Sequence, residues 1–66
     1  MQIHVNGEAK QIENNTSLAE LVSLLLLPQQ RIAVELNQHV VRRVDWPTTT
    51  LNDGDRVEVV HFVGGG

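Results

Sequence analysis

Apolar and polar residues alternate at the start of the chain, which predicts a β-strand. In residues 2–5, Ile3 and Val5 fall on one face, as in a strand with one buried side. Asn6-Gly7 follows, and this dipeptide is the strongest short signal of a two-residue hairpin turn. Residues 8–13 then predict a weaker and more polar strand. The chain therefore begins with a β-hairpin whose second strand lies at the edge of a sheet.

The apolar spacing changes to a helical period after residue 16. Ser17-Leu18-Ala19-Glu20 fits a capping box, in which the Ser17 hydroxyl accepts from the Glu20 amide and the Glu20 carboxylate accepts from the Ser17 amide. A helix to about residue 27 follows, and Pro28 cannot continue it. The apolar stripe of this helix that faces the core is predicted to consist of Leu18, Leu21, Val22, Leu25 and Leu26. Leu24 and Leu27 lie outside this stripe.

A period of two returns after the helix. Residues 32–36 predict a half-buried strand, and a turn at Asn37-Gln38 leads to a short strand over residues 39–43. Residues 44–51 are irregular, and Trp46 within them is expected to close one end of a small core. Asn52-Asp53-Gly54-Asp55 predicts a tight turn.

Residues 56–63 predict the last strand. Val57 and Val59 share its buried face, whereas Val60 and Phe62 share the opposite one with Glu58. The element order is thus ββαβββ, typical of an α+β roll with one helix on a mixed sheet. Its first and last strands lie side by side and parallel, joined by a long crossover.

One face of this sheet has no helix to cover it, and Val60 and Phe62 project from that face. Scattered apolar side chains are normal on protein surfaces. Because these two lie close to the C-terminal residues, we favour a patch that docks a partner protein.

Size and composition narrow the classes of function. A chain of 66 residues forms one domain without room for both a core and a deep cleft, which favours a carrier or binding module over an enzyme. A net charge of −3 gives no electrostatic basis for nucleic-acid binding. The sequence holds no cysteine, so it offers no thiolate nucleophile. No signal peptide or membrane-spanning run is visible, and we expect a cytoplasmic protein.

The three histidines, His4, His39 and His61, lack the local spacing of metal ligands. His4 is expected to point away from the core, whereas His61 is in phase with Val57 and Val59. We therefore expect no metal site.

Gly64, Gly65 and Gly66 close the sequence. Glycine has no Cβ and accepts φ of either sign, so such a segment can enter a channel too narrow for other residues. A frayed terminus is the alternative. We expect a folded domain over residues 1–63 and a flexible tail over residues 64–66, with the Gly66 carboxylate as the reactive group.

Several segments, at matching spacing over the whole chain, resemble the ThiS family of sulfur carriers in thiamine biosynthesis, within the broader MoaD/ThiS group. They are the opening Met1-Gln2-Ile3-x-Val5-Asn6-Gly7, the helix start Ser17 to Leu21, the strand Ala33 to Asn37, the segment from Val41 to Trp46, the stretch Leu51 to Val60, and the terminal glycines. The resemblance implies a ubiquitin-like β-grasp fold. Departures are the third glycine, Gly64, and Arg42, where we expect proline or another turn residue.

The resemblance also implies a chemistry centred on Gly66. A ThiF-like adenylyltransferase would activate the carboxylate with ATP and Mg²⁺, a sulfur donor enzyme would convert it to a thiocarboxylate, and a ThiG-like thiazole synthase would receive the sulfur. The chain would bind no cofactor of its own and be monomeric when free.

Other functions share parts of this pattern. A carrier for molybdopterin synthesis or tRNA thiolation would keep the chemistry and change the acceptor, although the short length and the Trp46 segment favour the thiamine type. A ubiquitin-like modifier would instead join its C-terminus to a lysine. A regulatory or RNA-binding module would leave the carboxylate unused.

Overall fold

The computed structural model describes residues 1–26 and 31–62. These residues form one five-stranded sheet in the order β2-β1-β5-β3-β4, in which β1 and β5 are parallel and the other neighbours are antiparallel. The elements are β1 (Gln2–Val5), β2 (Glu8–Gln11), α1 (Leu18–Leu24), β3 (Ile32–Leu36), β4 (His39–Val41), a 3-10 helix (Arg43–Thr48) and β5 (Arg56–His61). The predicted α+β class, the ββαβββ order and the parallel central pair are confirmed.

Two hairpins connect neighbouring strands through two-residue turns. Asn6 and Gly7 have φ of 49° and 85°, and Asn37 and Gln38 have φ of 50° and 71°. A turn with two left-handed residues matches the twist of the strands it joins, and asparagine enters this region more readily than most residues. Both predicted turns are therefore confirmed.

The capping box at the start of α1 is confirmed by both of its hydrogen bonds. The Glu20 amide donates to the Ser17 hydroxyl at 3.0 Å, and the Ser17 amide donates to the Glu20 carboxylate at 2.8 Å. At the other end the prediction was wrong, because α1 ends at Leu24 with Leu25 as its C-cap. Leu26 has φ of 56° and is 89% exposed, so it leaves the predicted core stripe. Leu27 and Pro28 lie outside the described residues.

The core lies between α1 and one face of the sheet. Apolar side chains from every element except β2 and β4 meet there: Ile3, Val5, Ile12, Leu18, Leu21, Val22, Ile32, Val34, Trp46, Leu51, Val57 and Val59. Leu25 packs at its margin. The ring of Trp46 is 3% exposed, and its Nε1–H donates to the Val41 carbonyl at 2.9 Å. Trp46 therefore joins the core as predicted, but from a 3-10 helix where the sequence predicted irregular structure.

The predicted turn before β5 ties that strand to β1. The Gln2 amide donates to the Asp53 carboxylate at 2.8 Å, and the Gly54 amide donates to the Gln2 carbonyl at 2.7 Å. The Asp55 carboxylate accepts from the Asn52 amide at 2.7 Å. These bonds assign Asp53 and Asp55 to the turn.

Within residues 1–26 and 31–62, no helix has the length and apolar character needed to cross a membrane.

Candidate functional site

The candidate site is the C-terminal half of β5, from which the chain continues toward the glycines. Gly64, Gly65 and Gly66, together with Val63, lie outside the described residues. The structure therefore describes the strand end that leads to them. The domain boundary at residue 63 and the tail remain predictions.

The two faces of β5 differ sharply in exposure. Val57 and Val59 are 1% and 8% exposed, whereas Val60 and Phe62 are 53% and 50% exposed. Alternation along the strand produces this difference, since successive side chains point to opposite faces of a sheet. The predicted inward and outward positions on β5 are confirmed.

Neighbouring strands extend the open face beside Val60. Ala33 of β3 lies directly opposite Val60, and the Phe62 amide donates to the Arg31 carbonyl at 3.0 Å. Val40 of β4 is 70% exposed and lies opposite Glu35. Sequence reasoning missed Val40, because only the strand order β5-β3-β4 brings it to this face.

Two glutamates lie on the same face. Glu35 of β3 and Glu58 of β5 are direct cross-strand partners, so their side chains leave the sheet on the same side. The open face next to the strand end thus combines apolar groups with a negatively charged pair.

Asn6 fixes β5 from the side of β1. Its Oδ1 accepts from the Val59 amide at 2.7 Å, and its Nδ2 donates to the Val59 carbonyl at 3.3 Å. The sequence assigned Asn6 only to a turn. Nothing in the local pattern showed that its side chain would contact a residue of the last strand.

Asn37 makes comparable side-chain hydrogen bonds at the start of β5. Its Oδ1 accepts from the Arg56 amide at 2.9 Å, and its Nδ2 donates to the Asp55 carboxylate at 3.0 Å. The two hairpin turns therefore each contribute one side-chain amide to β5, at different ends of the strand.

The histidines do not converge. His4 is paired with Arg56 in the β1–β5 register, and His61 is paired with Ile32 of β3. His4 Nδ1 is buried without a hydrogen-bond partner in the described part of the chain. Among residues 1–26 and 31–62, no three His, Asp or Glu side chains are grouped to hold a metal ion.

Three hollows on the described surface, including one along α1 lined by Ala19, Ser23 and Leu24, are open to solvent. In the described residues, the sheet order, with one α-helix packed on one face, defines a small α+β domain of the β-grasp type. The ThiS family model matches residues 3–66. The chain belongs to the ThiS family. This membership confirms the predicted resemblance to that family.

Solved and curated relatives agree with this assignment. The crystal structure of the thiamine biosynthesis protein ThiS from Geobacter metallireducens superposes with a TM-score of 0.88 at 38% identity, covering 100% of both chains. The sulfur carrier protein ThiS of Escherichia coli is 32% identical over 66 residues, which is 100% of both chains. The likeness to the ThiS structure confirms the predicted β-grasp architecture.

A further relative is much longer. A thiazole synthase from Magnetococcus marinus is 42% identical over 66 residues, which is 100% of this chain and 20% of that protein. A second thiazole synthase, from Paramagnetospirillum magneticum, is matched over the same shares. The chain thus spans a fifth of the length of these two relatives, in which a ThiS-like segment and a thiazole synthase share one polypeptide.

Proposed function

We propose that this chain carries sulfur as a thiocarboxylate on Gly66 for the synthesis of the thiamine thiazole ring. The observation that carries the proposal is the family match, which extends through the glycines to residue 66. The described structure supports it, because β5 leads directly from the core toward these residues.

The proposed chemistry has two steps. The Gly66 carboxylate attacks the α-phosphorus of ATP, pyrophosphate leaves, and an acyl-adenylate forms. A sulfide-level sulfur then attacks the acyl carbon and displaces AMP, which leaves the thiocarboxylate. Carboxylates are poor electrophiles, so adenylation supplies the leaving group that the second step needs. ATP and Mg²⁺ are substrate and metal of the adenylyltransferase in this proposal.

Three partners follow from this sequence of reactions: a ThiF-like adenylyltransferase, a sulfur donor enzyme and a ThiG-like thiazole synthase. The fused relatives support the last of these. The relatives named ThiS, from Escherichia coli and Bacillus subtilis, favour the thiamine pathway over molybdopterin synthesis, tRNA thiolation or protein modification. We place the carrier in the cytoplasm, where ATP is available to its activating enzyme.

We further propose that Val60 and Phe62 are the docking patch for these enzymes. Both side chains are about half exposed, and both lie on the sheet face opposite α1. A partner that covers this patch would hold the strand end from which the glycines extend.

Mass spectrometry tests the carboxylate chemistry. The chain is incubated with the adenylyltransferase, MgATP and inorganic sulfide, and it should gain the mass difference between one sulfur and one oxygen at its C-terminus. A chain whose C-terminal carboxylate is amidated is the matched control and should remain unchanged. Modification mapped to another residue would overturn the proposal, as would an unmodified chain when Escherichia coli ThiS is converted in parallel.

A further inference from the structure

The edge of β5 that faces β1 receives its hydrogen bonds from alternate residues of the first strand. The His4 amide donates to the Asp55 carbonyl at 2.9 Å, and the Asn6 amide donates to the Val57 carbonyl at 2.8 Å. The next residue of β5 on this edge is Val59. By that point the first strand has ended, because the chain turns back at Asn6-Gly7 into β2.

The side chain of Asn6 takes the place of the missing strand residue. Its amide group contains one acceptor and two donors in the same plane, and it bonds both the amide and the carbonyl of Val59, at 2.7 Å and 3.3 Å. In a continued parallel ladder, the Val59 amide would bond the backbone carbonyl of Asn6, and the Val59 carbonyl would accept from the amide two residues further along. The side-chain carboxamide of Asn6 supplies both bonds instead, because it contains a donor and an acceptor.

The position of this bond connects it with the candidate site. Val59 lies between Glu58 and Val60, and the strand continues through His61 toward Phe62 and the glycines. Beyond Val57, the named β1–β5 pairs stop, and among the described residues the Asn6 side chain bonds this edge of β5 at Val59. The other edge is paired with β3 as far as His61.

We propose that Asn6 is a positioning residue that holds the C-terminal half of β5 ready for the activating enzyme. This inference rests on the proposed function, since it assumes that the Gly66 carboxylate is a substrate. If the strand end loosens, only a fraction of the molecules has it in place, and the apparent affinity of the enzyme falls by that fraction. Once bound, the strand is ordered again, so the chemical step is unchanged.

Asn37 provides a matched control for this idea. It also lies in a two-residue turn with φ of 50°, close to the 49° of Asn6, and its amide also bonds to β5. Its contacts are with Asp55 and Arg56, at the start of the strand. Replacing either asparagine by glycine keeps the positive φ without strain and removes the side-chain bonds. The two variants differ chiefly in which end of β5 loses its side-chain hydrogen bonds.

The kinetic test compares pyrophosphate release by the adenylyltransferase with the wild-type chain and with Asn6→Gly, Asn37→Gly and Asn6→Asp. We expect Asn6→Gly to raise KM about fivefold, as for a strand end in place in about one molecule of five, with kcat unchanged. Asn37→Gly should keep KM within about twofold of wild type by the same reasoning. Asn6→Asp keeps an acceptor for the Val59 amide but loses the donor. Its KM should therefore fall between the KM of the wild-type chain and that of Asn6→Gly.

Amide hydrogen exchange on the free chains gives a readout that does not depend on the enzyme. Asn6→Gly should accelerate exchange most at the Val59 amide, which donates to Asn6, and next at Phe62 farther along the strand end, while leaving α1 protected. Equal KM values for the two glycine variants would overturn the proposal, as would acceleration spread evenly over the whole sheet. If the wild-type chain itself is not adenylated, the proposed function fails, and the exchange pattern alone then decides whether Asn6 holds the strand end. If Asn6→Gly does not fold, Asn6→Asp carries the same comparison.

Discussion

At the scale of single residues, β5 contains buried and exposed side chains only a few positions apart. Val59 is 8% exposed and belongs to the core, whereas Phe62 is 50% exposed on the open face. The same strand therefore contains residues expected to act through stability and residues expected to act through binding. Truncating one of each distinguishes the two roles.

Phe62→Ala should weaken binding to the adenylyltransferase or the thiazole synthase by more than tenfold, because aromatic side chains dominate buried contacts at interfaces. A loss of about 2 kcal/mol is typical of such a truncation. The melting temperature of the free chain should change little, since the ring is not part of the core. Titration of each partner and thermal unfolding monitored by circular dichroism measure the two effects.

Val59→Ala is the contrast to Phe62→Ala. It leaves a cavity and removes two buried methyl groups, so unfolding should become easier by about 2 kcal/mol. Its melting temperature should fall by about 10 °C, with partner affinity at low temperature nearly unchanged. Equal affinities for Phe62→Ala and wild type would place the docking patch on another part of the surface.

At the scale of elements, the pairing of β3 with β5 contains an electrostatic conflict. Glu35 and Glu58 lie directly opposite each other, and like charges in this position destabilise a sheet. Nothing in the sequence indicated this conflict, because each glutamate alternates with apolar residues as in an ordinary strand. The conflict exists only once the register of the two strands is known.

Glu58→Arg should convert this repulsion into an attraction and raise the free energy of unfolding by about 0.5 kcal/mol. Urea denaturation at low and high salt measures the gain, which should shrink as salt screens the charges. Glu8→Arg is the control, because it changes the net charge equally on β2, where the partner of Glu8 is the uncharged Val5. An equal gain in both variants would show that net charge, rather than the facing pair, is responsible.

At the scale of the whole molecule, the described core extends in the sequence from Ile3 in β1 to Val59 in β5. The division into a folded domain over residues 1–63 and a functional tail over residues 64–66 is a prediction from the sequence, and a deletion tests it.

Deletion of residues 64–66 should therefore leave the melting temperature unchanged and abolish adenylation. Differential scanning calorimetry and pyrophosphate release measure the two results. A chain lacking Gly64 alone keeps Gly65 and Gly66 and should remain a substrate. A large drop in melting temperature on deletion would contradict the division, because it would show that the tail packs on the domain.

Local signals predicted much of the fold. The Asn6-Gly7 turn and the Ser17–Glu20 capping box each depend on bonds or dihedral angles within a few residues, and both were confirmed. The end of α1 was less predictable, because leucines continue through residue 27 and a helical period cannot show where the backbone leaves the helix. The 3-10 helix was missed for a similar reason, since so short an element has no sustained period.

The sequence by itself determined the element order, the two faces of β5, the hairpin turns and the family. These features follow from periodicity, turn chemistry and motif spacing, which depend on residues close together in the sequence. Only the tertiary structure decided which distant groups meet. It set Glu35 against Glu58, brought Val40 to the open face and placed the Asn6 amide on Val59, 53 residues away in the sequence. Such contacts depend on the path of the chain and the register of its strands, and these follow from packing the whole core at once.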